Sequence, residues 1–278
     1  MFQKITSRES YEQYIQKYAH PRKELEKAIA RKNKEHSLWL QDGYCEVCDS
    51  LTQFRLSWKY SYNNLPNYRD SLRCSNCMLN NRQRFIYQYA RNIIRDNNYK
   101  SIYCYEQVTG FYKKFKQEYE ELVVGSEYLG SDLHPGRIYD GLRHEDAGNL
   151  SFDDETIDLI ISNDVFEHVQ DLNRALQEAY RVLKKGGQLI IAVPFKFNLE
   201  QTRKRAELVD GKYIHYLPEE YHGNPLSENG SLVFTDLGWD FLDFSKDIGF
   251  LDTSMICYYD YVLGYIGDGM QYIFHFKK

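Results

Sequence analysis

At 278 residues, with 27% charged and 15% aromatic side chains, the chain has the composition of a folded protein with one large core or a core plus a small module, and disorder is excluded. No apolar run is long enough to span a bilayer, and the segment before Arg31 is too polar for a secretory signal, so a cytoplasmic protein is expected. The net charge of −5 is uneven: residues 1–100 hold 18 Lys and Arg against 10 Asp and Glu, and the remainder holds 17 against 30. A basic amino-terminal part suits an anionic substrate, although a solvated charged helix accounts for the same excess.

Residues 7–36 carry Tyr11, Tyr14, Ile15, Tyr18, Leu25 and Ile29 among many charges and read as a helix interrupted near Pro21. Cys45 and Cys48 form one CxxC pair, Cys74 and Cys77 a second, with 25 residues between the pairs. Two such knuckles suit a tetrahedral structural Zn²⁺ site, and alternation of Phe54, Leu56 and Trp58 between them reads as a strand of a zinc ribbon. A reducing compartment disfavours disulfides, and a redox CxxC normally occurs once. With four thiolates bound the metal has no position for substrate, so the site carries no catalysis. Cys104 and Cys257 read as buried hydrophobes. After Cys77 a helix with Phe85, Ile86, Tyr89, Ile93 and Ile94 begins, with Arg82 and Arg84 at its start as anion ligands or solvated cations.

Tyr99–Gly110 reads as a first strand and turn, Tyr128–Ser131 as a second strand, and Gly141–Arg143 as a short third. Asp132 closes the second strand 22 positions after Gly110, the spacing at which nucleotide-binding βαβ units place a carboxylate on a ribose diol. The alternative is a turn-forming Asp, since Pro135 and Gly136 follow. Thr156–Phe195 then spells strand, helix and strand. Ile157, Leu159, Ile160 and Ile161 suit a strand buried on both faces, and Asp171 can cap a helix. Leu172, Ala175, Leu176, Ala179, Val182 and Leu183 form one apolar stripe, Gly186 and Gly187 stop the helix, and Gln188–Val193 is the next strand. Residues 196–235 read as a loop-rich insertion, followed by a helix over 236–247 and strands over 255–259 and 271–276.

The stretches SNDVFEHV (162–169) and RVLKKGGQLIIAVPF (181–195) resemble the fourth and fifth motif regions of class I S-adenosylmethionine-dependent methyltransferases. The resemblance implies an α/β fold with a seven-stranded Rossmann-like sheet, almost parallel with an antiparallel last strand, over residues 85–278. Residues 1–84 are then a helical and zinc-ribbon-like module. It also implies S-adenosylmethionine as cofactor, held by the turn Glu106, Thr109 and Gly110, by Asp132 and Leu133 at the ribose, by Asp146 and Ala147 at the adenine, and by Asn163 and Asp164 beyond the fourth strand. The turn departs from the family's glycine-rich pattern, with Glu106 and Val108 at the positions of the first two glycines. Ser151 stands at the family's usual proline.

The expected reaction is methyl transfer to an oxygen or nitrogen of a small-molecule or glycan-like acceptor, with 196–235 as acceptor pocket and lid. His222 and His168 have the acidity of a general base, and Tyr221 stands beside His222. RNA is the alternative acceptor, favoured by the basic first hundred residues and opposed by the acidic remainder. A third reading is a catalytically silent binding module, in which the altered glycine turn has lost the cofactor.

Overall fold

The computed structural model describes residues 2–278. Its centre is a seven-stranded mixed sheet in a Rossmann-like α/β arrangement. The strand order is Phe2–Ile5, Asp252–Tyr258, Gln271–Lys277, Leu183–Ala192, Ile157–Asn163, Ile102–Cys104, Val123–Gly125. Ile157–Asn163 lies parallel to both Leu183–Ala192 and Ile102–Cys104, which in turn runs parallel to Val123–Gly125. Gln271–Lys277 is antiparallel to Leu183–Ala192, as the resemblance implied.

Three expectations change in this sheet. The second strand is Val123–Gly125 and not Tyr128–Ser131, so the acid that follows it is Glu127, and Asp132 lies seven residues beyond its end. The expected third strand, Leu142–Arg143, pairs antiparallel with Ile138–Tyr139 in a hairpin of its own. The seventh place is filled by Phe2–Ile5, antiparallel to the strand at 252–258.

The chain forms two compact units: residues up to Asn97 with Met255–Ile273, and Asn98–Ser254 with Phe274–Lys278. The first holds a continuous helix, Arg8–Lys32, in which Pro21 sits without the expected interruption. A three-stranded sheet, Leu38–Cys45, Ser50–Ser57 and Arg73–Cys74, buries Phe54 and Leu56. Helix Asn81–Asn97 belongs to the same unit, so a boundary at residue 84 falls inside a helix. Phe85 stacks on Tyr258 with ring centroids 3.6 Å apart. Arg84 is fully buried: it donates to the carbonyls of Leu263 and Gly264 and lies over the Phe54 ring, while Arg82 is also buried and faces Asp70 at 3.5 Å. Neither is a solvated cation.

In the second unit, helix Leu172–Val182 is capped by Asp171, whose carboxylate accepts from Arg174 N at 3.0 Å. It buries Leu172, Ala175, Leu176, Ala179 and Val182, the stripe read from the sequence. It ends at Val182, before the two glycines. Leu183 opens the next strand, which breaks register before Gln188 and admits Gly186 at φ +78. Lys184, on this strand, pairs with Asp158 at 2.9 Å. The insertion after Phe195 is not loop-rich either. Ala206–Val209 pairs with Lys212–His215, Tyr221–Asn224 with Ser227–Leu232, and Arg203–Lys204 with Thr235–Asp236. The last helix runs over Asp240–Ile248.

Candidate functional site

Parallel sheets bind ligands beyond the carboxyl ends of their strands. At that edge of the second unit, the turn after Ile102–Cys104 carries Glu106, which is 5% exposed. Burying a carboxylate here requires donors, and two are present: Thr109 Oγ1 and Asn163 Nδ2, the latter at the end of the adjacent parallel strand. Thr109 also caps helix Gly110–Tyr119 by accepting from Tyr112 N at 3.1 Å. Glu106, Thr109, Gly110 and Asn163, singled out separately in the sequence, thus form one turn and its neighbour. A Cβ on Gly110 would meet nothing within 4 Å, which leaves open space in front of the helix start.

Glu127 was missed by the sequence reading. One oxygen of its carboxylate accepts from Gln107 N at 2.7 Å and Val108 N at 2.9 Å, so it fixes the same turn from the next strand. Burial raises its pKa above the ordinary carboxylate value, and the two backbone bonds pull the other way. Asp132 is exposed, meets Ser131 Oγ at 3.4 Å, and is followed by half-buried Leu133. The premise that placed Asp132 at a ribose, its position at a strand end, does not hold. Asp146 closes a tight turn by accepting from Gly148 N at 2.8 Å, with Ala147 buried beside it. Asp164 adopts φ +51 just past Asn163, and its N–H donates to Ala192 O, so the chain turns sharply out of the strand there.

That turn leads into a short helical segment, Phe166–His168, which sets up a second group of side chains. Glu167 is fully buried, and neither carboxylate oxygen has a hydrogen-bond partner among the described residues. Its Oε1 faces His168 Nε2 at 3.6 Å and His222 Nδ1 at 3.4 Å. His168 Nδ1 lies 2.8 Å from the carbonyl oxygen of Leu232, and His222 Nε2 lies 3.3 Å from Glu220 Oε1. The two imidazoles meet edge to face with centroids 5.0 Å apart. Glu167 beside it raises the His222 imidazole above its ordinary range, against the effect of burial, and Glu220 adds to the rise. Glu220 is itself tied at 3.1 Å to Arg205, which is anchored on Asp236.

His168 and His222 are 54 positions apart in sequence. The pairing of Tyr221–Asn224 with Ser227–Leu232 joins them, because Leu232 is the residue that holds His168. Tyr221 does not join this group: it is half exposed, with its hydroxyl on Glu219 at 3.3 Å. Alternation along a strand turns it away from the face that His222 occupies.

In the first unit, the Sγ atoms of Cys45, Cys48, Cys74 and Cys77 lie within 4.8 Å of one another, with Cys45 to Cys77 and Cys48 to Cys74 each at 3.9 Å. Each knuckle is closed by a left-handed residue directly after it, Asp49 at φ +52 and Met78 at φ +62. A tetrahedron with Zn–S bonds of about 2.3 Å has edges of about 3.8 Å, so the cluster has the size of a zinc site.

Residues 88–191 are matched by the family model described as a methyltransferase domain. The matched stretch holds Glu106, Asn163, Glu167 and His168, hence the Glu106 turn and half of the histidine cluster; His222 lies beyond it. Among similar proteins, a malonyl-[acyl-carrier protein] O-methyltransferase of Methylococcus capsulatus is 40% identical over 81 residues, which is 29% of this chain and 29% of that one. A demethylmenaquinone methyltransferase of Bacteroides fragilis is 29% identical over 116 residues, 37% of this chain and 47% of that one. The chain thus spans less than half the length of these two relatives. The solved structure of an S-adenosylmethionine-dependent methyltransferase from Mesorhizobium loti covers 67% of this chain and 96% of its own at 15% identity, with a TM-score of 0.42. No helix among the described residues is long and apolar enough to cross a membrane.

Proposed function

We propose that the protein transfers a methyl group from S-adenosylmethionine to an oxygen or nitrogen of a small-molecule or glycan-like acceptor. The observation that carries this reading is the network of Glu106, Thr109, Asn163 and Glu127 around one open turn at the carboxyl edge of the parallel strands, inside the methyltransferase match. Glu106 is assigned to the cofactor's amino group. Glu127 keeps acceptor capacity on its second oxygen for a ribose diol. Asp146 and Ala147 are assigned to the adenine, Asp164 to the floor of the same crevice. Methyl transfer needs an acceptor lone pair in line with the sulfonium, so positioning supplies much of the acceleration. The acceptor end is the group Glu167, His168 and His222, which begins four residues past the cofactor-side Asn163.

Two relatives are named for a malonyl-[acyl-carrier protein] oxygen and for demethylmenaquinone, which favours a small acceptor over RNA. Burial of Arg82 and Arg84 removes two cations from any phosphate-binding surface of the first unit. Calorimetric titration with S-adenosylmethionine should show one saturable site per chain. No heat of binding to the folded protein would return the chain to the silent-module reading.

The four cysteines are assigned one structural Zn²⁺, on the strength of sulfur separations that match a thiolate tetrahedron. Elemental analysis should find one zinc per chain in the purified protein. Cys74→Ser should lose it together with the fold of the first unit, since the free energy of structural zinc binding is folding free energy, roughly 10 to 16 kcal/mol in small zinc peptides. A metal-free protein that stays folded after that substitution would end the assignment.

A further inference from the structure

The imidazoles of His168 and His222 are each held from outside. In His168, Nδ1 lies 2.8 Å from a backbone carbonyl oxygen, which can only accept, so Nδ1 carries the proton. In the neutral ring, Nε2 then presents its lone pair inward, toward Glu167 Oε1 at 3.6 Å. His222 repeats the arrangement with its nitrogens exchanged: Nε2 faces the Glu220 carboxylate at 3.3 Å, and Nδ1 faces Glu167 Oε1 at 3.4 Å. With both rings neutral, two inward lone pairs converge on a fully buried carboxylate that has no hydrogen-bond donor within the pocket. Three electron-rich groups in a buried pocket repel one another unless a positive charge lies among them, either a proton on His222, which Glu167 and Glu220 favour, or a metal cation in its place.

Histidine ligands of metals show this outer anchoring by a carbonyl or carboxylate, which fixes the tautomer and aims the free nitrogen. The three ligand atoms lie within 4.8 Å of one another. We propose that Glu167, His168 and His222 bind one divalent cation of the Mn²⁺, Fe²⁺ and Zn²⁺ class, at the acceptor end of the methyl-transfer site. Two imidazoles and one carboxylate suit these ions better than Mg²⁺ or Ca²⁺, which prefer oxygen throughout. Three protein ligands leave coordination positions open, and His168 and His222 are partly exposed at 15% and 28% of their side chains, so an acceptor oxygen has access. The group thus differs in kind from the closed four-cysteine cluster.

The inference rests on the methyl-transfer reading for its chemistry. An acceptor hydroxyl bound to the cation becomes more acidic and releases its proton to solvent. Its oxygen lone pair forms the new bond to the methyl carbon as the bond from that carbon to the sulfonium breaks. The electron pair of the broken bond returns to sulfur, leaving neutral S-adenosylhomocysteine. His168 and His222 remain neutral ligands throughout, and activation of the acceptor falls to the cation.

The test is a Mn²⁺ titration of the full-length protein, its thiolate site left loaded, after mild chelator treatment, followed by electron paramagnetic resonance. Mn²⁺ competes poorly for thiolates, so the signal reports the oxygen and nitrogen site. The wild type should bind one Mn²⁺ per chain. Glu167→Gln, which keeps shape and removes charge, should weaken it by at least about tenfold, the low end of what losing even an outer partner of a metal ligand costs. His222→Gln, at a partly exposed position, gives a second variant should Glu167→Gln misfold. Mn²⁺ that fails to bind the wild type, or that binds a folded variant equally well, overturns the proposal. Calorimetry with S-adenosylmethionine on the same samples separates the two claims: cofactor binding without Mn²⁺ binding leaves methyl transfer standing and removes the cation, and Mn²⁺ binding without cofactor does the reverse.

Discussion

Glu26 and Glu167 are both fully buried carboxylates, and their surroundings could hardly differ more. Glu26, on helix Arg8–Lys32, accepts from Gly267 N at 2.9 Å and from Gly269 N at 3.2 Å. Gly269 has φ +77, and a Cβ there would press on Ala19, so the loop comes this close to the helix because it carries glycine. Glu167 accepts nothing within bonding distance and faces two imidazole nitrogens. Burial alone therefore does not mark a functional carboxylate. A satisfied one holds two pieces of chain together, whereas an unsatisfied one implies a charge still to come.

The largest expected effect lies at the unsatisfied site. His222→Ala should reduce methyl transfer by about 100- to 10,000-fold if the ring acts as a general base, and a loss that added Mn²⁺ partly restores would mark it as a cation ligand instead. Cofactor affinity should stay nearly unchanged, because Glu106, Glu127 and Asn163 belong to other elements. Turnover and thermal stability must be read on one preparation, since a His222 that only braces its hairpin would lower stability and spare turnover per folded molecule. Normal turnover with normal stability would remove His222 from the acceptor site and leave His168 as the remaining candidate for a general base.

Glu26 gives the opposite signature, in stability and not in rate. Burial pushes its carboxyl up to about 7, from the 4.5 of an unperturbed Glu. The folded protein therefore holds this proton more tightly than the unfolded chain. The resulting stability is complete below about pH 4.5, declines as the pH rises toward 7, and levels off above it, a change on the order of 3 kcal/mol. Urea unfolding at pH 5 and pH 7.5 should show the wild type gaining at the lower pH relative to Glu26→Gln, which has no proton to lose. An identical pH response in both proteins would show that the carboxyl titrates normally and that the contrast with Glu167 is one of geometry alone.

The same contrast explains what could be read from the sequence. The four-cysteine cluster was legible because its members come in two adjacent pairs, each pair a knuckle fixed by local turns. Strand Ile157–Asn163 and helix Leu172–Val182 were legible because burial on a sheet leaves a dense apolar pattern. The Glu167 group was half legible: His168 and His222 stood out, but Glu167 passed as the neighbour of a histidine. Joining them requires a hairpin whose two strands are largely exposed and polar, which erases the alternation that announces a strand. Adjacent Glu and His just past a buried parallel strand was the available signal. Pro21 misled in the other direction, since a helix of 25 residues continues through it.

The smallest expected effect concerns two carboxylates between these extremes. Val123–Gly125 is only three residues long and follows a charged, helix-like stretch, so spacing from Gly110 drew attention to Asp132 in place of Glu127. In the folded chain, Glu127 is half-buried and bound to the N–H groups of Gln107 and Val108, while Asp132 is exposed beside Ser131. Glu127→Ala should remove the acceptor for the ribose diol and loosen the turn, weakening S-adenosylmethionine by about 1.5 to 3 kcal/mol, the range for hydrogen bonds to charged groups. Glu127→Gln should recover part of this, because an amide oxygen still accepts one bond. Asp132→Ala should leave affinity unchanged. If calorimetry finds the loss at Asp132 instead, the loop after Ser131 must fold over the cofactor when it binds, and the ribose contact belongs to that loop and not to the strand end.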